Sequence, residues 1–234
     1  QIPWLRKNLP DELHIAPYLG SYVYGFNTSQ PPFKDNVPLR KALALALDRD
    51  ILVGKITGAG EIASYGWVPP LTGYRNQQPE RAAWTREERN AEARRLYAEA
   101  GYSAGNPLRL QLLHNTEINH RRLAVAMAAM WRDVLGVETE ILNQEWQVFL
   151  QTRRTKVDTQ VFRYGWVGDY NDPYTFAEIL DSIAFTIRER VRIKGEISTL
   201  TAQQRMSGYV VGFLPIGLAG FLFIAAPSFT DPLF

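Results

Sequence analysis

The 234-residue chain contains no cysteine. This absence excludes disulfide bonds, thiolate zinc sites and cysteine nucleophiles, and it leaves the redox compartment open. Histidine is also scarce: His14, His114 and His120 are scattered along the chain, and no cysteine is present to complete a ligand set. The sequence therefore predicts no metal site, and it gives no sign of a cofactor.

Several other signatures are missing. The chain has no G-x-S-x-G motif, no P-loop and no dinucleotide-binding fingerprint, so an enzyme is not predicted. Residues 1–181 hold 21 basic and 21 acidic side chains, a balance that argues against a nucleic-acid partner. The opening "QIPWLRKNLPDEL" lacks a basic stretch followed by an apolar run, so we expect no signal peptide and a chain that begins within a domain.

Alternating strand and helix patterns fill the first three quarters of the chain and predict an α/β lobe. Period-two or β-branched stretches predict strands at 21–27, 107–114, 137–142 and 159–166. Helical periodicity and caps predict helices at 36–58, 85–101, 117–135 and 145–154. Residues 59–84 are rich in Gly, Pro, Asn and Gln and predict a long surface loop.

The composition changes near Ser182. Residues 182–206 carry five basic and two acidic side chains and predict a basic amphipathic helix. Residues 207–226 carry no charge, and at about 1.5 Å per residue they would span roughly 30 Å, the thickness of a bilayer's hydrocarbon core. A buried core helix is the alternative, but the Gly, Ala and Pro content favours a transmembrane helix.

The stretch "FRYGWVGDYNDPYTF" (162–176) places a carboxylate, Asp169, directly after an aromatic strand. The ordinary interpretation is a turn cap, because Asp and Asn bond their neighbouring backbone, and Asp172 before Pro173 is typical of a helix start. The functional interpretation is an ammonium site, in which Asp169 pairs with the charge and Trp166 excludes water. Both interpretations remain open from the residues alone.

Residues 16–180 resemble the oligopeptide-binding proteins of bacterial ABC importers (solute-binding family 5). The resemblance is carried in order by "APYLGSYVYGFNTSQPPFKD", "LRKALALALDRDILVGKITG", "YGWVPPLTG", "EARRLYAEAGYSAGNPLRLQLLHNT", "NQEWQVFLQTRR" and "YGWVGDYNDPYTF". It implies a peptide-binding function in oligopeptide uptake, in the periplasm, with short peptides as ligands and an importer permease as partner. The fold it implies is a single α/β lobe of a type II periplasmic-binding-protein fold, with residues 1–181 as a partial solute-binding lobe.

The resemblance also implies roles for individual residues. Asp169 matches the acid that takes a peptide's α-ammonium group, and Gly165 and Val167 match a strand whose backbone pairs with the extended peptide. The basic positions that can meet the peptide carboxylate are matched by Arg163, Arg153 and His120, and the pocket walls by Trp146 and Trp166. Some relatives have cysteines near positions 20 and 167, where this chain has Gly20 and Val167.

Residues 182–234 resemble a different family, the C-terminal part of Tad-type pilus platform proteins, which are inner-membrane proteins with type II secretion F domains. The match is carried by "TIRERVRIKGEISTLTAQQRMSGYVVGFLPIGLAGFLFI" and "PLF". Five basic residues before the span place its N-terminal side in the cytoplasm, whereas a peptide-binding lobe works outside the inner membrane. We therefore expect a composite chain. The alternative function is a membrane-anchored pilus-platform fragment that carries the lobe as a passenger.

Overall fold

A computed structural model describes residues 2–16, 18–71, 73–75, 78–156 and 158–178. The chain divides into two compact units, Gln1–Phe176 and Ala177–Phe234. The described residues belong almost wholly to the first unit. The predicted basic helix at 182–206, the predicted span at 207–226 and the predicted boundary at 181/182 lie outside the described residues. Within the described ranges, no helix is both long and apolar enough to cross a membrane.

The first unit is built on one mixed sheet of four strands. In chain order these are β1 (Gly20–Phe26), β2 (Arg109–Asn115), β3 (Glu138–Gln144) and β4 (Val161–Val167). Their spatial order is β1-β4-β2-β3. Strands β2, β3 and β4 are parallel where they pair, and β1 joins the edge antiparallel to β4. The predicted α/β class is confirmed.

Helices cover both faces of the sheet. The helices of the first unit are α1 (Ile2–Asn8), α2 (Val37–Leu45), α3 (Arg49–Ile51), α4 (Arg86–Glu99), α5 (Ile118–Leu135) and α6 (Trp146–Thr155). Helices α2, α4 and α5 bury one face of β2 in a continuous apolar core, whose largest members include Phe33, Leu39, Leu43, Leu112, Met127 and Trp131. Side chains alternate across a strand, so Leu113 of β2 faces the other way, toward α6 and its buried Phe149.

Caps at the ends of the helices explain why the predicted boundaries are close to the observed ones. The Thr85 hydroxyl accepts from the Glu88 N–H, and the Glu88 carboxylate accepts from the Thr85 N–H, which completes the predicted capping box of α4. Helix α5 ends at Gly136, whose φ of 73° lies in the left-handed region that glycine tolerates. Strands β1 to β4 each lie within two residues of their predicted limits.

The single helix predicted for residues 36–58 is wrong. Helix α2 ends at Leu45, and the chain begins a second helix at Arg49 that continues as a π-helical turn, Leu52–Thr57. The break is caused by Asp48, whose carboxylate accepts the Ile51 N–H and thereby starts a new helix in mid-pattern. The four-residue leucine spacing continues across this break, so periodicity alone did not reveal it.

Candidate functional site

Strand β4 has one paired edge and one largely unpaired edge. Every residue of β4, from Val161 to Val167, lies opposite a residue of β1. On its other side, β4 pairs with β2 only at Val161 and Phe162. The stretch 163–167 therefore has no strand partner on that side among the described residues. This open edge, residues 163–167 of β4, lies at the carboxyl end of the strand, where α/β sheets commonly bind ligands.

The hydrogen-bond register determines which main-chain groups face the open edge. The Asn27 N–H donates to the Gln160 carbonyl, and the Gly168 N–H donates to the Leu19 carbonyl. These two bonds show that the main-chain groups of the even-numbered residues of β4 are the ones bonded to β1. In an antiparallel pair, bonded and non-bonded residue pairs alternate. The N–H and C=O groups of Gly165 and Val167 therefore point away from β1, toward the open edge. Gly165 and Val167 are the two positions for which the family resemblance implied peptide pairing.

Arg163 lies on the same sheet face as Tyr22 and Tyr24 of β1. Its guanidinium carbon stands 5.0 Å from the centroid of the Tyr22 ring. The Arg163 Nε is buried and has no hydrogen-bond partner among the described residues. Arg163 forms no ion pair within 4 Å with a described residue, and its charge acts on the nearby Tyr22 hydroxyl and Glu117 carboxylate. Burial raises the pKa of both tyrosine hydroxyls, which keeps them neutral.

His120, in the first turn of α5, completes this face of the site. Its Nδ1 lies 3.1 Å from the Tyr22 hydroxyl and 3.4 Å from a carboxylate oxygen of Glu117. Burial lowers the pKa of His120, and the charge of Arg163 lowers it further, so the imidazole is neutral at pH 7. Burial alone would raise the pKa of Glu117, but hydrogen bonds from the Asn119 and His120 N–H groups outweigh it and the pKa is lowered.

Arg153 and Trp146 lie on α6, which covers the opposite face of the sheet. The Arg153 guanidinium stands 4.8 Å from the centroid of the Tyr164 ring. Burial lowers the pKa of Arg153. Trp146 is stacked on Phe149 with ring centroids 5.9 Å apart, and its side chain remains substantially exposed. Arg153 and Trp146 thus belong to an aromatic cluster separate from the Arg163 side of the sheet.

Asp169 follows β4 directly and is exposed to solvent. Its backbone N–H donates to the Thr175 hydroxyl at 3.2 Å, whereas its carboxylate forms no hydrogen bond with a described residue. Trp166 contributes to the same loop, because its indole N–H donates to the Thr175 carbonyl at 3.0 Å. The cap of the helical turn 174–178 is Asp172, which accepts from the Tyr174 N–H at 2.7 Å. The expected helix start at Asp172 is therefore confirmed, and the Asp169 carboxylate does not cap the turn.

The structure brings most of the candidate residues to the carboxyl end of β4. The members on or beside that strand end are Arg163, Gly165, Trp166, Val167, Asp169 and His120. Sequence reasoning missed Tyr22, Glu117 and Thr175, which support His120, Arg163 and Asp169. A signal for Tyr22 existed, since Tyr22 and Tyr24 alternate in "SYVYGF" and must share one face of β1.

Two open cavities lie away from this strand end. One, of about 520 Å³, is lined by polar residues at the amino ends of β2 and β3, including Gln111 and Glu140. The other, of about 390 Å³, lies between α2 and α4. Neither includes a residue predicted for the site. The described part of the chain also contains no group of three or more His, Asp or Glu side chains arranged to hold a metal ion.

Comparison with known proteins identifies the family. The model of the family described as "Bacterial extracellular solute-binding proteins, family 5 Middle" matches residues 2–184. The chain belongs to this family. The family members with which it aligns are named for binding rather than for catalysis.

Individual relatives support the same family assignment. The chain is 46% identical to the periplasmic oligopeptide-binding protein OppA of Escherichia coli over 173 residues, and 39% identical to the E. coli periplasmic murein peptide-binding protein MppA over 179 residues. Among solved structures, MppA of E. coli superposes with a TM-score of 0.72 at 38% identity, covering 76% of this chain. Haemophilus influenzae OppA in complex with the peptide RPPGFSPFR superposes with a TM-score of 0.70 at 38% identity.

These alignments cover only part of the relatives. They include 74% and 76% of this chain, but 32% of E. coli OppA and 33% of MppA. The superposed structures are likewise covered to 35% of their length. The chain thus spans about a third of the length of the relatives it matches, which corresponds to one part of a larger binding protein.

Proposed function

We propose that this chain forms one lobe of a periplasmic peptide receptor that serves an ABC importer. The observation that carries the proposal is the open edge of β4, whose outward-facing main-chain groups belong to Gly165 and Val167 and which leads directly to Asp169. Relatives at 39–46% identity are named as peptide-binding proteins, which supports peptides as the ligand class.

The peptide binds by adding a strand to β4. Its main chain pairs with Gly165 and Val167, and main-chain bonds do not depend on the ligand's side chains. The peptide's amino terminus lies at Asp169, beyond the carboxyl end of β4, so the peptide runs antiparallel to β4. Trp166 and Trp146 border the site as apolar walls.

Charged groups fix the two ends of the peptide. Asp169 carries an exposed carboxylate with no hydrogen bond to a described residue, and it pairs with the α-ammonium group in a charge-assisted bond. Six residues of strand span roughly 20 Å, so Arg163 and Asp169 are separated by about the length of a short extended peptide. Arg163 takes the carboxylate of such a peptide, and His120 or Arg153 takes it when the peptide has another length.

An NMR titration of the chain with trialanine tests the proposal. Trialanine offers a main chain and two charged termini but almost no side chain, so its binding reports on strand addition alone. We expect concentration-dependent amide shifts at Gly165, Val167 and Asp169. Amides at the amino ends of β2 and β3, such as Gln111 and Glu140, serve as internal controls and should not move. Shifts confined to those controls, or no shifts at high millimolar peptide, would contradict the proposal.

For the tail, we propose from its sequence that residues 207–226 form a transmembrane helix preceded by a basic amphipathic segment, 182–206, and that the tail derives from a pilus-platform protein. Twenty uncharged residues match the thickness of a bilayer core. By resemblance the tail belongs in the inner membrane and the lobe in the periplasm. Because the basic residues of 182–206 favour the cytoplasm, the two parts require opposite compartments, and the chain would then be a composite.

Carbonate extraction of membranes from cells that produce the chain tests the tail proposal. The intact chain should stay in the membrane pellet, and a variant lacking 207–226 should move to the supernatant. Release of both forms into the supernatant would refute the membrane helix.

A further inference from the structure

We infer that Thr175 is a positioning residue for the ligand site, because its buried hydroxyl holds the backbone of Asp169 where the carboxylate can meet a peptide's amino terminus. This inference rests on the proposed function, since it assigns Thr175 a role in the ammonium site. Thr175 itself is only 1% exposed and therefore has no direct access to a ligand. It acts through Asp169.

Thr175 links the end of β4 to the loop that carries Asp169. Its hydroxyl accepts the Asp169 N–H at 3.2 Å, and its carbonyl accepts the Trp166 indole N–H at 3.0 Å. The two donors lie on either side of Gly168, so a single residue anchors the chain both before and after this glycine. A second tryptophan, Trp67, donates its indole N–H to the neighbouring carbonyl of Phe176 at 2.6 Å.

Close packing at Gly168 brings the loop against Thr175. A Cβ atom at this glycine would lie 2.9 Å from the Thr175 methyl carbon and 2.8 Å from a methyl carbon of Leu19. The Gly168 N–H also donates to the Leu19 carbonyl at 2.9 Å, which continues the β1 pairing one residue beyond β4. Both the methyl and the hydroxyl groups of Thr175 are therefore in use, the first for packing and the second for the Asp169 N–H.

A carboxylate on a flexible loop loses conformational entropy when it pairs with an ammonium group. On a restrained loop, part of that entropy has already been lost on folding, so binding costs less. Thr175 restrains the backbone next to the carboxylate without consuming the carboxylate's own acceptors. Asp172 supports this arrangement, because its carboxylate caps the turn that carries Thr175. The loop thus fixes Asp169 through its main chain and leaves its side chain for the ligand.

The test compares Thr175→Val, which keeps the shape but removes the acceptor, with Thr175→Ser, which keeps the acceptor. The readout is discrimination, the ratio of the dissociation constants of N-acetyl-trialanine and trialanine measured by NMR titration of the full chain. Loss of one neutral hydrogen bond is expected to change this ratio of dissociation constants roughly twofold to tenfold. We expect Thr175→Val to lower the discrimination by this factor and Thr175→Ser to retain it.

Thr159→Val is the matched control. Thr159 is also 1% exposed, but its hydroxyl is buried without a hydrogen-bond partner among the described residues. This variant should retain the discrimination, whatever it does to the thermal midpoint. If the unmutated chain discriminates and Thr175→Val discriminates equally well, the role of Thr175 is overturned, but the proposed ammonium pairing is not. Absence of discrimination in the unmutated chain overturns the proposed ammonium pairing, and the inference falls with it.

Amide exchange in the unmutated chain provides a second measurement that does not depend on the folding of a variant. The Asp169 N–H should exchange more slowly than an unprotected amide of the same sequence, because it is bonded to the Thr175 hydroxyl. Unprotected exchange at Asp169 would overturn the inference.

Discussion

At the scale of single residues, the candidate site contains two charged side chains that form no ion pair within the described residues. The Asp169 carboxylate is exposed and forms no hydrogen bond with a described residue, and the Arg163 Nε is buried without a partner among them. An unpaired buried donor is costly in a folded protein. In the proposed function, a peptide supplies the partners, an ammonium group for Asp169 and a carboxylate for Arg163.

The first prediction concerns Asp169→Asn. The substitution keeps the shape of the side chain and removes its charge, so the charge-assisted bond to the peptide's amino terminus is lost. Such a bond contributes about 1.5–3 kcal/mol, so we expect trialanine to bind roughly tenfold to a hundredfold more weakly in an NMR titration.

N-acetyl-trialanine provides the control for this prediction. Acetylation should weaken binding to the unmutated chain by a comparable factor and should weaken binding to Asp169→Asn little further, because both changes remove the same pair. Additive effects of acetylation and mutation would mean that Asp169 and the peptide's amino terminus do not meet.

The second prediction concerns His120. Its pKa in the folded chain is lowered by burial and by Arg163, and less by His114, while Glu117 opposes the shift. The unfolded chain therefore binds a proton at His120 at a higher pH than the folded chain does. The stability that follows from this difference is complete above the unfolded pKa, near 6.5, and is lost as the pH falls through the folded value.

We expect the free energy of unfolding, measured in urea, to fall between pH 7 and pH 5, and to fall less steeply in His120→Gln. His14→Gln is the control, because His14 is exposed and lies outside the cluster. Parallel pH profiles for the unmutated chain and His120→Gln would contradict the lowered pKa of His120.

At the scale of elements, the two edges of β4 are paired to different extents. One edge pairs with β1 over seven residues and holds the strand in the sheet. The other pairs with β2 for two residues and is then open. Because main-chain groups alternate between the edges, the sheet can hold β4 firmly while Gly165 and Val167 remain available to a ligand.

Much of this element structure could be predicted from the sequence. Local signals sufficed for the caps at Thr85 and Gly136 and for the alternating strands, because these depend on neighbours in the chain. The break at Asp48 was missed because a side-chain cap overrode a continuous leucine repeat. The open edge of β4 was not visible in the sequence, since it depends on where β2 and β4 stop pairing, a long-range property of the sheet.

The third prediction concerns packing between β1 and β4. A Cβ atom at Gly25 would lie 2.8 Å from the ring of Phe162, its partner across the two strands. Gly25→Ala should therefore force the ring to move and lower the free energy of unfolding by about 1–3 kcal/mol. Gly54→Ala is the control, because nothing lies within 4 Å of a Cβ there and the helical backbone favours alanine. Equal stability of the two variants in urea would contradict this packing.

At the scale of the whole molecule, the chain contains about a third of the length of its relatives. Small-molecule sites usually bury most of the ligand surface, and the open edge of β4 contacts an added strand on one side only. The peptide would keep its other side in water while still losing conformational freedom on binding.

The fourth prediction follows from this incomplete enclosure. We expect trialanine to bind the chain with a dissociation constant on the order of millimolar, measured by NMR titration. Micromolar binding in a calorimetric titration of the same chain would show that this lobe encloses the peptide without further protein.

The most direct test of the account is residue-resolved amide exchange with and without trialanine. The Tyr164 and Trp166 amides face β1, so they should exchange slowly in both states. The Gly165 and Val167 amides face the open edge, so they should exchange faster in the free chain and slow down in proportion to peptide occupancy. Slowing at Gly165 and Val167 alone is the predicted result. Peptide binding that leaves these two amides unprotected would contradict strand addition at β4.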